Sequence, residues 1–234
     1  MKKLVIFTGA GISQESGLQT FRDEDGLWEN YDIEDVATIE AWHRDPALVL
    51  DFYNQRRSAA ITAMPNTGHT ALAELENQFD ITIITQNIDT LHERAGSTDV
   101  LHLHGRIDFA KSDETGKRIN IGNTDIKMGD LCEDGFQLRP DIVWFGEDVP
   151  NISIAADICK SADYFGIIGT SLNVYPAAGL IHSVNEKVYK VLVDPNLDRV
   201  TNFKRLHIIN EKATIGIPMM AKFFIDKLTT KTSA

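Results

Sequence analysis

Cysteine is scarce in this chain. Cys132 and Cys159 are the only two in 234 residues, too few for a disulfide framework or a cysteine-rich zinc site. Basic charge is also in deficit: 23 Lys and Arg stand against 34 Asp and Glu, a formal net charge of −11. That balance argues against a nucleic-acid partner and suits neutral or basic ones. Long hydrophobic runs are missing too. Met1-Lys2-Lys3 precedes only Leu4, Val5, Ile6 and Phe7, too short for a signal-peptide core. Residues 164–184 carry no Asp, Glu, Lys or Arg, yet they hold Asn173, Pro176, His182 and Ser183 and read as a buried strand and helix, not a membrane span. No internal repeat or low-complexity segment stands out beyond the polar end, Thr229–Ala234. The expectation is a cytoplasmic protein that uses neither nucleic acid nor membrane. Its apolar content of 43% and charged content of 24% are those of an ordinary globular chain long enough for one large domain or a domain with an insertion.

What is present is a series of short apolar runs alternating with helical patterns, the mark of an α/β protein on a parallel sheet. Leu4–Thr8, Ile81–Thr85, Val100–Leu103, Tyr164–Ile168 and Tyr189–Val193 are the strand candidates. Asn66–Gln78, with Leu72, Leu75 and Phe79 in helical phase, and Pro218–Leu228 are predicted helices. Ligands of such sheets lie beyond the carboxyl ends of the strands. Here those ends carry Thr8-Gly9-Ala10-Gly11, Thr85-Gln86-Asn87-Ile88-Asp89, His102-Leu103-His104-Gly105 and Gly169-Thr170-Ser171. Four small, polar motifs at four adjacent strand ends mark a site.

In the first of these loops, Gly9 and Gly11 lack a Cβ and let backbone pass close to a ligand. Ser13 and Ser16 set hydroxyls beside the free N–H groups of a following helix, a seat for a diphosphate. The spacing is not the three-glycine dinucleotide fingerprint, and a tight turn that binds nothing has the same composition. Two stretches break the βα rhythm. Residues 27–63 read as helical, with Leu48 and Phe52 in phase over Ala47–Arg57; residues 106–138 are polar and poorly periodic, with a turn at Lys111–Gly116. They form a smaller unit (27–63 and 106–138) inserted into the sheet domain (1–26, 64–105 and 139–234), with a cleft between the two.

The motifs Gly9-Ala10-Gly11-Ile12-Ser13-x-x-Ser16-Gly17, Phe21-Arg22, Thr85-Gln86-Asn87-x-Asp89-x-Leu91-His92, His104-Gly105, Trp144-Phe145-Gly146-Glu147 and Gly169-Thr170-Ser171 resemble those of the sirtuins, the NAD-dependent protein lysine deacylases. The resemblance runs in order from Leu4 to about Pro218. It implies a Rossmann-like domain with a small inserted domain, NAD as cofactor, and acyl-lysine proteins or peptides as substrates. Catalysis must stabilise positive charge at ribose C1′ as nicotinamide leaves, then deprotonate a ribose hydroxyl; His104, titrating near neutrality, suits the base. By the same resemblance Asn87 is catalytic and, with Asp89 and Ile88, lines the nicotinamide ribose and carboxamide pocket, while Gln86 bonds the ribose. Asn87 and Asp89 also suit a plain helix cap. Gly9, Ala10, Gly11, Ser13, Ser16, Gly17, Phe21, Arg22, Asp23, Trp28, Gly169, Thr170, Ser171, Asp194 and Ala213 are the remaining cofactor positions. His102 and His92 read as structural.

For the substrate, Val143, Trp144, Phe145 and Gly146 match an edge that pairs with peptide backbone. Tyr53 and Arg56, three apart on one helical face, match the pair that binds the acyl carboxylate in the sirtuins that remove succinyl, malonyl or glutaryl groups; an Arg fork and a Tyr hydroxyl suit a carboxylate. Ala37 leaves room for the longer chain. The plainer alternative makes Arg56 and Arg57 one solvated basic turn. Two departures stand out. Most sirtuins hold zinc with four cysteines between His104 and Arg139, where this chain has only Cys132, so no zinc is expected and Ile119, Ile121, Ile126, Leu131 and Phe136 must hold the small unit together. Leu192 replaces an Asn usual near the adenosine ribose. An NAD glycohydrolase or ADP-ribosyltransferase, and a non-catalytic NAD sensor, stay open beside the deacylase.

Overall fold

The computed structural model describes residues 1–19, 27–28, 31–170, 172, 174–196 and 203–231. In chain order its elements are β1 (Lys2–Thr8), α1 (Gly11–Gln14), β2 (Leu27–Trp28), β3 (Tyr31–Asp32), α2 (Ile33–Val36), α3 (Ile39–Arg44), α4 (Pro46–Thr62), α5 (Thr67–Leu75), β4 (Phe79–Thr85), α6 (Leu91–Arg94), β5 (Val100–His102), β6 (Gly105–Ser112), β7 (Arg118–Asn120), β8 (Leu138–Ile142), α7 (Ile152–Lys160), β9 (Tyr164–Ile168), a 3-10 helix (Ala177–Ser183), β10 (Tyr189–Val193), β11 (Leu206–Ile209) and α8 (Ala213–Lys231).

Six parallel strands form the main sheet in the order β11-β10-β9-β1-β4-β5. The chain builds outward from β1 through β4 to β5, then returns to the other side of β1 for β9, so the order reverses between β1 and β9. Register aligns the strand ends: Thr8 pairs with Thr85 and Ile168, and Thr85 with His102. Side chains alternate across the sheet as the period of two requires. Leu4 and Ile6 join Leu72 and Leu75 of α5 and Ile217, Met220 and Phe224 of α8 on one face. Val5 and Phe7 join Ala155 and Cys159 of α7 and Leu180 and Ile181 of the 3-10 helix on the other. Helix α8 starts at Ala213, earlier than the predicted Pro218, and carries Pro218 within it. Residues 177–183 coil as 3-10, not α.

The second sheet is antiparallel, β7-β6-β8. Strand β7 and all of β6 but Gly105 lie within 106–138, whose alternation is too weak to read as strands. It also takes in β8, through Ala110↔Pro140 and Lys111↔Arg139, residues that the expected boundary at 138/139 left outside it. Helices α2 to α4 pack on this sheet through Val36, Trp42, Val49, Phe52, Ile107, Ala110 and Trp144. Of the five residues expected to hold this unit, Ile126 is buried and Ile121 partly so. Leu131 and Phe136 are instead 58% and 46% exposed, because the long β7–β8 connection turns them outward.

Under the main sheet, His69 and His92 are buried with ring centroids 5.0 Å apart. The Asn66 amide donates to His69 Nδ1 at 3.3 Å as part of the α5 capping box. Burial lowers the His69 imidazole from 6.5 to about 4 and drives His92 down as well, with the neighbouring His69 adding to the shift. Both states are neutral above pH 6.5. Below it the unfolded chain takes up protons that the fold refuses, so stability falls as pH falls. Between pH 6.5 and 5 the loss from His69 alone is expected to be about 2 kcal/mol, read as a lower urea midpoint, and the slope should flatten in His69→Gln. An equal midpoint at pH 7 and 5 would contradict this.

Candidate active site

At the point where the strand order reverses, two loops cross at backbone contact. Gly9 N donates to Ile168 O at 3.0 Å and Gly11 N to Gly169 O at 2.9 Å. A Cβ on Gly11 would lie 2.6 Å from Gly169 Cα, and Gly169 sits at φ +59° with Gly11 and Ile12 backbone against it, so only glycine fits either position. The helix expected after this loop is one turn long, Gly11–Gln14, too short to bring the macrodipole the sequence suggested.

The β4 loop locks onto this crossing. Thr8 Oγ1 donates to Thr85 Oγ1 at 2.8 Å, and Thr85 Oγ1 accepts from the Asn87 amide at 3.0 Å. Ser13 Oγ donates to Asp89 Oδ2 at 3.0 Å and accepts from Asn87 Nδ2 at 3.1 Å. Asp89 also accepts from the amide of Leu91, the first residue of α6, at 3.0 Å. Burial raises the Asp89 carboxyl, opposed by those two hydrogen bonds. Ser13, 2% exposed, therefore braces Asn87 against Asp89. Gln86 Nε2 donates to Thr170 Oγ1 at 3.0 Å.

His104 lies between β5 of the main sheet and β6 of the small one. The turn is possible because Gly105 takes φ +81° with Asp141 O 1.9 Å from where a Cβ would stand. His104 Nδ1 lies 3.1 Å from Gln86 O. A carbonyl only accepts, so Nδ1 carries the proton and Nε2 is left with the lone pair. Burial lowers this imidazole from 6.5, and the Gln86 bond offsets part of the shift. His102 and His92 are both bonded within the fold. His102 contacts Asn87 O at 2.9 Å and Glu93 Oε1 at 2.8 Å, and buried His92 holds Thr8 Oγ1 at 3.1 Å.

A cleft of about 240 Å³ runs from Gly9, Ala10, Gly11, Gly169 and Thr170 past Gln86, Asn87, Ile88, Asp89 and His104 to Ala37, Tyr53, Arg56 and Val143–Gly146. Arg56 and Arg57 are not a solvated turn. Arg56 is half-buried in the cleft wall, with its guanidinium 5.7 Å from the Phe52 ring. Arg57 is fully buried, donating to Ile107 O at 2.8 Å and Asn54 Oδ1 at 2.7 Å. The edge expected at Val143–Phe145 is already engaged: these amides donate in turn to His104 O, Glu147 Oε2 and Ala37 O.

Ser16, Gly17, Asp194 and Ala213 lie outside the cleft lining. Ser16 Oγ accepts from Asn66 Nδ2, Asp194 Oδ1 from the Asn196 amide, and Ala213 is buried at the start of α8. Phe21, Arg22, Asp23 and Ser171 lie outside the described residues, as does the side chain of Trp28. The sequence missed Gln19, Ile107, Val149 and Tyr175, which also line the cleft and carry no motif of their own. Among the described residues no group of three or more His, Cys, Asp or Glu could hold a metal, and no helix is long and apolar enough to cross a membrane.

A parallel sheet with a glycine crossing at its reversal point, and an imidazole lining the same cleft, is the arrangement of a nucleotide-binding α/β protein. The Sir2 family profile matches residues 9–176. The NAD-dependent protein deacylase of Bacteroides thetaiotaomicron is 48% identical over 231 residues, 96% of this chain and 99% of its own length. That of Helicobacter pylori is 49% identical over 213 residues, 91% of this chain and 93% of its own. Among solved structures, a Sir2 homologue in complex with NAD superposes with a TM-score of 0.85 at 35% identity, over 97% of this chain and 91% of that one. A mutant Sir2 homologue with ADP ribose gives 0.87 at 35% identity, over 97% and 94%. The chain belongs to the Sir2 family, with its Rossmann-like core and smaller second lobe.

His104 must be neutral to act as a base, and its value lies below 6.5. Activity is therefore expected to hold as pH falls to 6.5 and to be lost only below it. A pH profile of kcat checks this; an acidic limb centred above 6.5 would rule out His104 in this role.

Proposed function

We propose that this Sir2-family enzyme, an NAD-dependent protein deacylase, removes succinyl- and malonyl-type groups from lysine as well as acetyl groups, yielding nicotinamide and O-acyl-ADP-ribose. The carrying observation is that Tyr53 and Arg56 line the same cleft as His104 and the Gly9–Gly11 loop. Both residues sit on α4, whose Asp45 side chain caps it and whose Pro46 starts it, so they face the cleft from a rigid element.

The Gly11–Gly169 crossing fits a dinucleotide, because it brings two loops with no side chain between them to the lining of the cleft. NAD bound there supplies the ribose carbon that accepts the acyl oxygen. Asn87 and Asp89, fixed by Ser13, orient the nicotinamide end. His104 Nε2 takes a proton from a ribose hydroxyl, and Gln86 O holds the imidazole in the tautomer that can do so. The Arg56 fork and the Tyr53 hydroxyl receive the acyl carboxylate, and Ala37, 3% exposed, takes little space beside them. The small lobe holds through its own packing without zinc. The substrates are acyl-lysine proteins or peptides of the cytoplasm.

The test is nicotinamide release by purified protein with succinyl-lysine peptide, acetyl-lysine peptide or none. Release should require a peptide, and the succinyl-to-acetyl ratio of kcat/KM should fall roughly 10- to 100-fold in Arg56→Met, the worth of a lost charged hydrogen bond. Equal release without peptide would assign NAD hydrolysis instead; an unchanged ratio would reject the acidic-acyl preference.

A further inference from the structure

Along the wall of the cleft runs a line of contacts ending on Tyr53. Arg139 and Glu147 form a largely buried ion pair through Arg139 Nη2 and Glu147 Oε1, with side chains 6% and 19% exposed. Both groups hold Trp144. Glu147 Oε2 accepts from the Trp144 amide at 2.8 Å, and the Arg139 guanidinium lies 4.1 Å above the Trp144 ring centroid, a cation–π stack. Trp42 packs on the same indole at 5.7 Å. So fixed, Trp144 Nε1 donates to Tyr53 Oη at 3.0 Å.

That last bond has a direction. Indole N–H can only donate, so the phenol oxygen is the acceptor and its own proton points away from Trp144. Burial raises the Tyr53 phenol well above its ordinary range, which keeps that proton in place. Trp144 thus takes one side of the phenol oxygen, and the proton of Tyr53, a residue of the cleft wall, lies on the other. A phenol free to rotate would present either a lone pair or a proton, and a lone pair would repel a carboxylate.

We infer that the Arg139–Glu147 pair, acting through Trp144, turns the Tyr53 hydroxyl toward an acyl carboxylate and so sets the enzyme's preference for acidic acyl groups. The inference rests on the acidic-acyl reading above. Arg139 and Glu147 are positioning residues here.

The experiment compares succinyl- and acetyl-lysine peptides as a ratio of kcat/KM. Trp144→Phe keeps an aromatic ring but drops the N–H donor; it should lower the ratio about fivefold, the worth of one neutral hydrogen bond. Glu147→Gln can still accept from the Trp144 amide but cannot pair with Arg139, and should lower the ratio about twofold. In a Tyr53→Phe background Trp144→Phe should change the ratio no further, because the hydroxyl it orients is gone. A wild-type ratio below one would remove the acidic-acyl reading and this inference with it. A wild-type preference that survives Trp144→Phe, or an equal fall in the Tyr53→Phe background, would overturn the inference alone. Should Trp144→Phe fail to fold, an unchanged ratio in Glu147→Gln overturns it.

Discussion

Two backbones that cross without side chains between them, at Gly11 and Gly169, support the rest of this molecule. Parallel pairing places Thr8, Thr85, Ile168 and His102 in one row across the sheet, so whatever follows each strand emerges at the same height. The Gly11–Gly169 hydrogen bond ties two of those four loops together where the strand order reverses. Ser13 then sits within reach of Asn87 and Asp89 on a third. A Cβ at the crossing would push the loops apart and take Ser13 off both partners.

The fourth loop converts that geometry into chemistry. His104 lies on the short link between the two sheets, so its imidazole faces the cleft from the hinge between large and small lobes. Its tautomer is chosen by a backbone carbonyl at Gln86, a group that neither titrates nor rotates. Partial burial keeps the ring neutral. The same economy recurs at the Tyr53 side of the cleft, where the Trp144 indole N–H occupies one side of the phenol oxygen.

Much of this was legible beforehand because it is local. A strand that ends in small polar residues declares both its period and its end, and Tyr164–Ile168 and Tyr189–Val193 are strands at the residues read from composition. Residues 106–138 were illegible for the opposite reason. Their strands are short, half-exposed and paired across a bulge between Gly105 and Ala110, so no alternation survives in the sequence. The burial of Arg57 had no local signal, because its partners, Ile107 O and Asn54 Oδ1, include a carbonyl 50 residues away.

The sequence by itself determined which side chains stand at the ends of the central strands, since apolar runs and glycine turns act over a few residues. It also determined the family, through motifs spread over most of the chain. Only the tertiary structure decided that Ser13 braces the site from within, that His104 keeps its proton on Nδ1, and that the Val143–Phe145 amides are spent inside the fold. Those outcomes depend on which donor meets which acceptor across dozens of residues, and such distances exist only once the sheet has set its strand order.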